Sequence, residues 1–201
     1  ISGAGFDMHR LFLALARFMA VLGGAVLTLV IFVTCFSVAG RMLNGFLHGG
    51  LAESLFPDLA DRLIAAGVGP LLGDFELVEA GVAFAIFAFL PLCQITGGHA
   101  SVDIFTSKLP DAVNRGIQLV IDWVFAAVLI LIAWQLYQGM LEKVRYNETT
   151  FMLQFPVWWA YAASLFAAGV AALVGVFVAL ARLGEVVTGR VILQGNEGAD
   201  A

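Results

Sequence analysis

The side chains that could carry a proton or hold an ion in this chain lie mostly outside its longest apolar stretches. An ionisable group deep within such a stretch is the usual sign of a conduction path or a proton relay. Asp122 is the nearest candidate, and it lies beside Trp123 where one apolar stretch begins. There its carboxylate can reach the aqueous interface or complement the positive N-terminus of a helix. We favour this interfacial role over a proton relay.

The histidines and cysteines indicate no site for a cofactor or a metal ion. His9, His48 and His99 fall outside the membrane spans predicted below, whereas a haem held between membrane helices needs axial histidines inside them. Cys35 and Cys93 stand alone within apolar stretches and behave as small hydrophobic residues. The sequence also lacks nucleophile, zinc-protease and phosphate-loop motifs. We therefore expect a protein that is not an enzyme and that holds no cofactor, metal ion or disulfide.

Four stretches without a charged side chain determine the fold class. Each has about 20 residues or more, enough for a helix to cross the ~30 Å hydrocarbon core of a bilayer. The chain is 61% hydrophobic and only 12% charged, whereas soluble domains are about one quarter charged. We predict an all-α integral membrane protein, a four-helix bundle that forms one domain over 1–201. The uncharged stretches are 18–40, 80–102, 123–141 and 149–181, and the spans predicted from them are about 13–40, 77–97, 116–141 and 156–181.

The connection between the first two spans, 42–73, is amphipathic. Its apolar residues recur at helical spacing, while most of its charged residues fall elsewhere on the helical wheel. Because the segment is too polar to cross a bilayer, the pattern predicts an additional helix along the membrane surface, or equally a short helix packed on the end of the bundle. The apolar positions are Ala52, Leu55, Phe56, Leu59, Leu63 and Ile64.

The distribution of Lys and Arg predicts the orientation. If the N-terminus is cytoplasmic, the inner segments hold six of these residues and the outer segments four, a bias that places both termini inside. Trp158, Trp159 and Tyr161 then form an aromatic belt at the outer end of the fourth span. The first apolar stretch exceeds the roughly 7–15 residues of a secretory signal. We expect it to be retained, although 37–39 resembles a cleavage site.

Small residues repeat every four positions along two of the spans. In lipid, such rows let helix backbones approach closely and so favour helix association. The pattern alone leaves open whether the rows pack within this chain or against another subunit. One row lies in span four and the other in span one: Ala163, Ala167, Ala171, Gly175 and Ala179, and Ala16, Ala20, Gly24 and Thr28.

Three polar segments carry a resemblance to a known family. Segment 90–110 reads LPLCQITGGHASVDIFTSKLP, where a Gly-His pair is followed by Val-Asp and an apolar run that closes in Leu-Pro. Segments 73–78 and 145–161, which enter spans two and four, agree with the same pattern. Together they resemble the small membrane subunit of tripartite ATP-independent periplasmic (TRAP) transporters, the DctQ-like family, over about residues 10–185. The matching residues of the first segment are Gly98, His99, Val102, Asp103, Leu109 and Pro110.

The resemblance implies a three-part importer in the bacterial inner membrane. A periplasmic substrate-binding protein captures the substrate, typically an organic acid, and a large multi-span subunit carries the substrate and sodium sites. The small subunit pairs with the large one among membrane lipids, steadies its static scaffold and helps to seat the binding protein. The alternative from another class is a membrane anchor for a peripheral enzyme or redox complex, and a third is a small self-sufficient channel.

Two groups of polar residues are candidates for a role in such a complex. Gly98, His99, Val102, Asp103 and Pro110 suit a turn between spans two and three, and direct contact with the large subunit is the weaker alternative. Arg145 and Glu148 stand three residues apart at the predicted outer surface. They form either a local ion pair or, less favoured, a docking point for the binding protein.

Overall fold

The computed structural model describes residues 2–49, 69, 71–97 and 111–188, and four helices account for most of them. They are α1 (Ser2–Leu47), α2 (Asp74–Ile95), α3 (Asp111–Tyr146) and α4 (Trp158–Thr188). All four are long and apolar enough to cross a membrane, which confirms the predicted all-α class and the four spans. The greater part of the amphipathic connection 42–73 and the whole turn segment 98–110 lie outside the described residues.

All four helices are longer than the predicted spans, α1 and α3 by the most. α1 has 46 residues and α3 has 36, which gives lengths of about 69 Å and 54 Å at 1.5 Å per residue. Arg17 and Arg41 end the uncharged stretch of α1, but arginine is a good helix former and does not end the helix. The predicted connection therefore begins too early at 42, since α1 continues to Leu47.

The ends of α2 and α4 differ from the prediction by a few residues. α2 has 22 residues and is about 33 Å long, close to the thickness of the hydrocarbon core. It begins at Asp74 and continues through the buried Pro91 to Ile95. α4 begins at Trp158 rather than Pro156, because Pro156 pairs with Thr149 in an isolated bridge before the helix.

The four helices lie side by side in the order α1, α2, α4, α3, so the predicted bundle of four helices takes the form of an open row. α1 packs on α2, α2 on α4 and α4 on α3, while α1 touches α4 only slightly. In the most apolar part of each helix, 56% of the residues are buried in α4 but only 17% in α1 and in α3. The last helix in the chain is therefore the centre of the row.

Close approach of α1 and α2 depends on two glycines. A Cβ atom on Gly23 would lie 2.9 Å from the Cβ of Ala88, and one on Gly81 would collide with the side chain of Val30. Neither contact uses the small-residue row predicted for span one, in which Thr28 is exposed and a Cβ on Gly24 would meet open space. The α1–α2 contact therefore uses Gly23 and not Gly24, whereas Ala16 of the predicted row is buried in the core and contact of the row with another subunit stays a prediction.

The main apolar core lies where α1, α2 and α4 meet. Met19, Ala88, Val174 and Val178 are almost completely buried there. α1 reaches α4 through Phe12, whose ring stacks on that of Phe177 with centroids 4.2 Å apart. The outward faces of α1 and α3 expose many large apolar side chains instead, which suits contact with lipid or with another membrane subunit.

Candidate functional site

The α3–α4 connection, residues 147–157, lies at one end of the row of helices, which is called the loop end here. The side chain of Glu76 holds this connection in place. Glu76 lies in the first turn of α2. Its carboxylate accepts hydrogen bonds from the backbone N–H groups of Met152, at 2.6 Å, and Leu153, at 2.9 Å. Bonds to an ionised acceptor are stronger than neutral ones. One side chain therefore fastens the connection to α2, which is far away in sequence.

The connection also closes on itself. The N–H of Thr150 donates to the carbonyl of Phe155 at 2.9 Å, and the N–H of Val157 donates to the carbonyl of Glu148 at 3.0 Å. Gln154 adopts a positive φ of 57°, and its side-chain amide donates to the carbonyl of Phe151 at 3.0 Å. These bonds give the connection a defined shape, so the apolar side chains at its tip are presented in fixed positions.

A second polar contact joins α1 to α2 at the loop end. The guanidinium group of Arg41 pairs with the carboxylate of Asp74 and donates to the hydroxyl of the buried Ser37 at 3.1 Å. It also lies 5.5 Å from the centre of the Phe75 ring, within the range of a cation–π contact. Asp74 is only 6% exposed, so this buried carboxylate has its charge compensated. The sequence did not indicate the contact between Arg41 and Asp74, because 33 residues separate them.

Segment 73–78, which supports the family resemblance, contains Asp74 and Glu76, the α2 residues that make the two contacts described above. Gly73 has a φ of 82°, a conformation that favours glycine, and its carbonyl accepts the N–H groups of Glu76 and Leu77 as α2 begins. A Cβ at this position would also collide with the side chain of Leu153. The pattern Gly73, Asp74, Phe75, Glu76 thus joins three elements of the loop end.

A cleft of about 480 Å³ opens beside this junction, between α2 and α3. α2 and α3 do not pack on one another, so α4 forms the floor of the cleft and the α3–α4 connection closes one end. Most of the lining is apolar, and Glu76 and Glu79 are its acidic residues. The other residues that line it are Ala80, Ala83, Phe87, Leu136, Thr150, Phe151, Phe155, Val157, Ala160, Tyr161 and Ser164.

Asp122 lies at the opposite end of the row, where it makes a contact that the sequence did not indicate. It is 8% exposed, and α3 begins at Asp111, so Asp122 is well inside the helix and not in its first turns. Its Oδ2 atom lies 3.0 Å from Nε of Arg182, whose Nη1 donates to Gln118 at 2.6 Å. The carboxylate is therefore part of an ion pair between α3 and α4, which explains its burial without a proton relay.

The predicted pair Arg145 and Glu148 is not formed. Glu148 instead pairs with Lys143, whose Nζ atom lies 2.6 Å from its Oε2 atom. Arg145 is exposed near the end of α3. The two residues share the loop end, but their possible role in docking is untested. Gly98, His99, Val102, Asp103 and Pro110 lie outside the described residues.

The aromatic residues predicted for the membrane interface divide into two groups. Trp158 and Trp159 are exposed and meet edge to face, with ring centroids 6.1 Å apart. Tyr161 is half-buried and packs on α3, where a Cβ on Gly139 would lie 2.8 Å from its ring. The aromatic belt remains a prediction for all three residues, and Tyr161 also packs on α3.

The small-residue row of span four packs largely within this chain. Ala167, Ala171, Gly175 and Ala179 are buried, and Ala163 is exposed. A Cβ on Gly175 would lie 3.2 Å from the side chain of Leu129 on α3. This row fixes α3 against α4, together with the contact of Tyr161 on α3 and the ion pair of Arg182. The three contacts are spread along most of α4.

Among the residues that the structure describes, no three His, Cys, Asp or Glu side chains lie together as a possible metal site. The fold is that of a multi-pass membrane protein, with its polar contacts at the two ends and apolar faces between them. Residues 63–185 match the family of tripartite ATP-independent periplasmic transporters, DctQ component, over more than half of the chain. The chain belongs to this family, which confirms the resemblance found in the sequence. No curated protein and no solved structure matches it.

Membership of this family defines the general function of the chain. The chain is a membrane component of a TRAP transporter, and its family works in complexes with other transporter subunits. The family is a transporter component and not an enzyme.

Proposed function

We propose that this chain is the small scaffold subunit of a sodium-coupled importer of organic acids in the bacterial inner membrane. It steadies the large multi-span subunit, which carries the substrate and the sodium ions. Family membership is the observation that carries this proposal. The open row of helices supports it, because the weakly buried faces of α1 and α3 leave wide apolar surface for a second membrane protein.

The positions of the charged groups support a scaffold role in preference to a transport path. The ion pair Arg41–Asp74 joins α1 to α2 at one end of the row, and Asp122–Arg182 joins α3 to α4 at the other. The charged groups of both ion pairs hold neighbouring helices together. A solute or sodium path would instead need polar groups that face a cavity through the middle of the membrane.

Reconstitution into vesicles tests this function. The large subunit, the binding protein and this chain are combined under an inward sodium gradient, and uptake of a panel of labelled organic acids is measured. We expect uptake only when all three proteins and sodium are present. Full uptake without this chain would overturn the scaffold proposal, and uptake that does not depend on sodium would overturn the coupling.

We also propose that the loop end faces the periplasm and helps to seat the substrate-binding protein. Glu76 holds the α3–α4 connection in place, and the exposed Arg145 lies beside it. Glu148 is paired with Lys143, so Arg145 supplies the available charge of the predicted docking pair. Labelling of single cysteines at 145 and at 17 with an impermeant thiol reagent in intact spheroplasts tests the orientation. Labelling at 17 but not at 145 would place the loop end in the cytoplasm and overturn the proposal.

A further inference from the structure

The cleft between α2 and α3 contains a carboxylate whose charge is not compensated within the described part of the chain. Glu79 lines the cleft and makes no hydrogen bond or ion pair with the residues that the structure describes. Its neighbours in the cleft include no lysine or arginine. Glu76, the other acidic residue of the lining, already accepts two backbone N–H groups. The charge that the cleft offers to another molecule is therefore that of Glu79.

Glu79 lies near one end of a candidate membrane span. It stands five residues after Asp74, where α2 begins, so its backbone lies about 7.5 Å along the helix axis. Its side chain is exposed and lines the cleft. A negative charge on a docking surface favours a positively charged group of the partner over an anion.

We propose that the cleft receives a membrane helix of the large subunit, and that a lysine or arginine side chain of that helix pairs with Glu79. This inference rests on the proposed function and adds to it the surface through which the two membrane subunits meet. Small residues in the walls, Ala80, Ala83 and Ala160, let a helix approach closely. The apolar lining, which includes Phe87 and Leu136, suits the aliphatic stem of a basic side chain.

Charge argues against the transported solute as the occupant, because an organic anion would be repelled by Glu79. A lipid with an ammonium headgroup shares the charge of a basic side chain. The protein helix is favoured because the chain belongs to a family that works in complexes with other subunits. The cleft is also open along the membrane between two helices that do not pack on each other, which is the shape that a third helix fits.

The test uses two variants in the cleft and a matched control for each. Ala83→Trp fills the cleft and Glu79→Gln removes its charge. Ala163→Trp adds the same bulk at an exposed position of α4, and Glu142→Gln removes a charge from the exposed end of α3. Each variant is co-expressed with the large subunit and purified in mild detergent through a tag on this chain. The recovered large subunit is measured per copy of the chain, and the chain alone is checked by size-exclusion profile and thermal unfolding.

We expect Ala83→Trp to abolish recovery of the large subunit and Glu79→Gln to lower it about threefold or more, while the variants alone unfold like the wild type. Both controls should recover it normally. Normal recovery with both cleft variants would overturn the inference, and so would loss of a bound lipid without loss of the large subunit. If the wild-type chain itself recovers no large subunit, the proposed function fails instead, so the two failures are distinguishable.

Discussion

Nε of Arg182 lies 3.0 Å from Oδ2 of Asp122, and this contact joins the end of α4 to α3 across 60 residues of sequence. The side chains are 25% and 11% exposed, so the pair is largely removed from water. A buried charge is tolerated when its partner is present and is strongly unfavourable when the partner is removed. The contact therefore fixes how α3 lies against α4 without contributing a charge to transport.

Removal of one partner of this pair should destabilise the chain more than removal of both. We expect Arg182→Gln to lower the free energy of unfolding by about 3–5 kcal/mol, because Asp122 is left buried without its cation. The double variant Asp122→Asn with Arg182→Gln should recover a large part of that loss. Unfolding of the purified chain in detergent measures both. A double variant that is less stable than Arg182→Gln would contradict this explanation.

Loss of the Glu76 carboxylate should release the α3–α4 connection. In Glu76→Ala the amides of Met152 and Leu153 lose their acceptor, so their hydrogen exchange should accelerate about tenfold or more. Exchange mass spectrometry of the segment that contains 150–155 measures this effect. Glu142→Ala, which removes an exposed carboxylate from α3, is the control and should leave the exchange unchanged. Equal exchange in both variants would show that Glu76 does not hold the connection.

Gly23 should tolerate no larger side chain, whereas its neighbour Gly24 should. A Cβ on Gly23 meets Ala88 at 2.9 Å, and one on Gly24 has no neighbour within 4 Å. We expect Gly23→Val to push α1 from α2 and to lower the free energy of unfolding by about 1–3 kcal/mol. Gly24→Val makes the same change in helix propensity, which is slightly favourable because Gly is the poorer helix former, and should reveal it alone. Thermal unfolding in detergent compares the two variants. Equal losses of stability would show that Gly23 does not make the close contact between α1 and α2.

Arg145 should affect uptake through its charge if the loop end seats the binding protein. Arg145→Gln should lower the rate of uptake at limiting binding protein, with the largest effect at low ionic strength, because salt screens charges at a surface. Arg145→Lys keeps the charge and serves as the control. Uptake by reconstituted vesicles at several salt concentrations provides the measurement. An effect of equal size at low and high salt would exclude an electrostatic role.

The positions of the spans were readable because hydropathy along a segment is a local property. The uncharged stretches 80–102 and 149–181 predicted helices that the structure places at Asp74–Ile95 and Trp158–Thr188. The errors lie at the ends, where helix propensity and not hydropathy decides. α1 continues past Arg41 to Leu47. α4 begins only at Trp158, because Pro156 is held in a bridge.

The partners of the polar residues were not readable, because each lies far away in the sequence. Spacing suggested that Glu148 pairs with Arg145, but the turn after α3 brings Lys143 to it. The pair of Asp122 with Arg182 was not indicated either, because 60 residues separate the two. Glu76 drew attention only as part of a family pattern, and its hydrogen-bond donors, two backbone amides, leave no trace in side-chain identity.

Sequence alone determined that this chain crosses the membrane four times and which family it belongs to, since both follow from residues that are near one another along the chain. Tertiary structure decided that α4 stands between α2 and α3, and that a cleft with Glu79 in it lies over α4. The physical reason is that apolar helices in lipid have no strong preference for one neighbour over another. Contacts between distant small and charged residues, such as Gly175 with Leu129 and Arg182 with Asp122, select the arrangement.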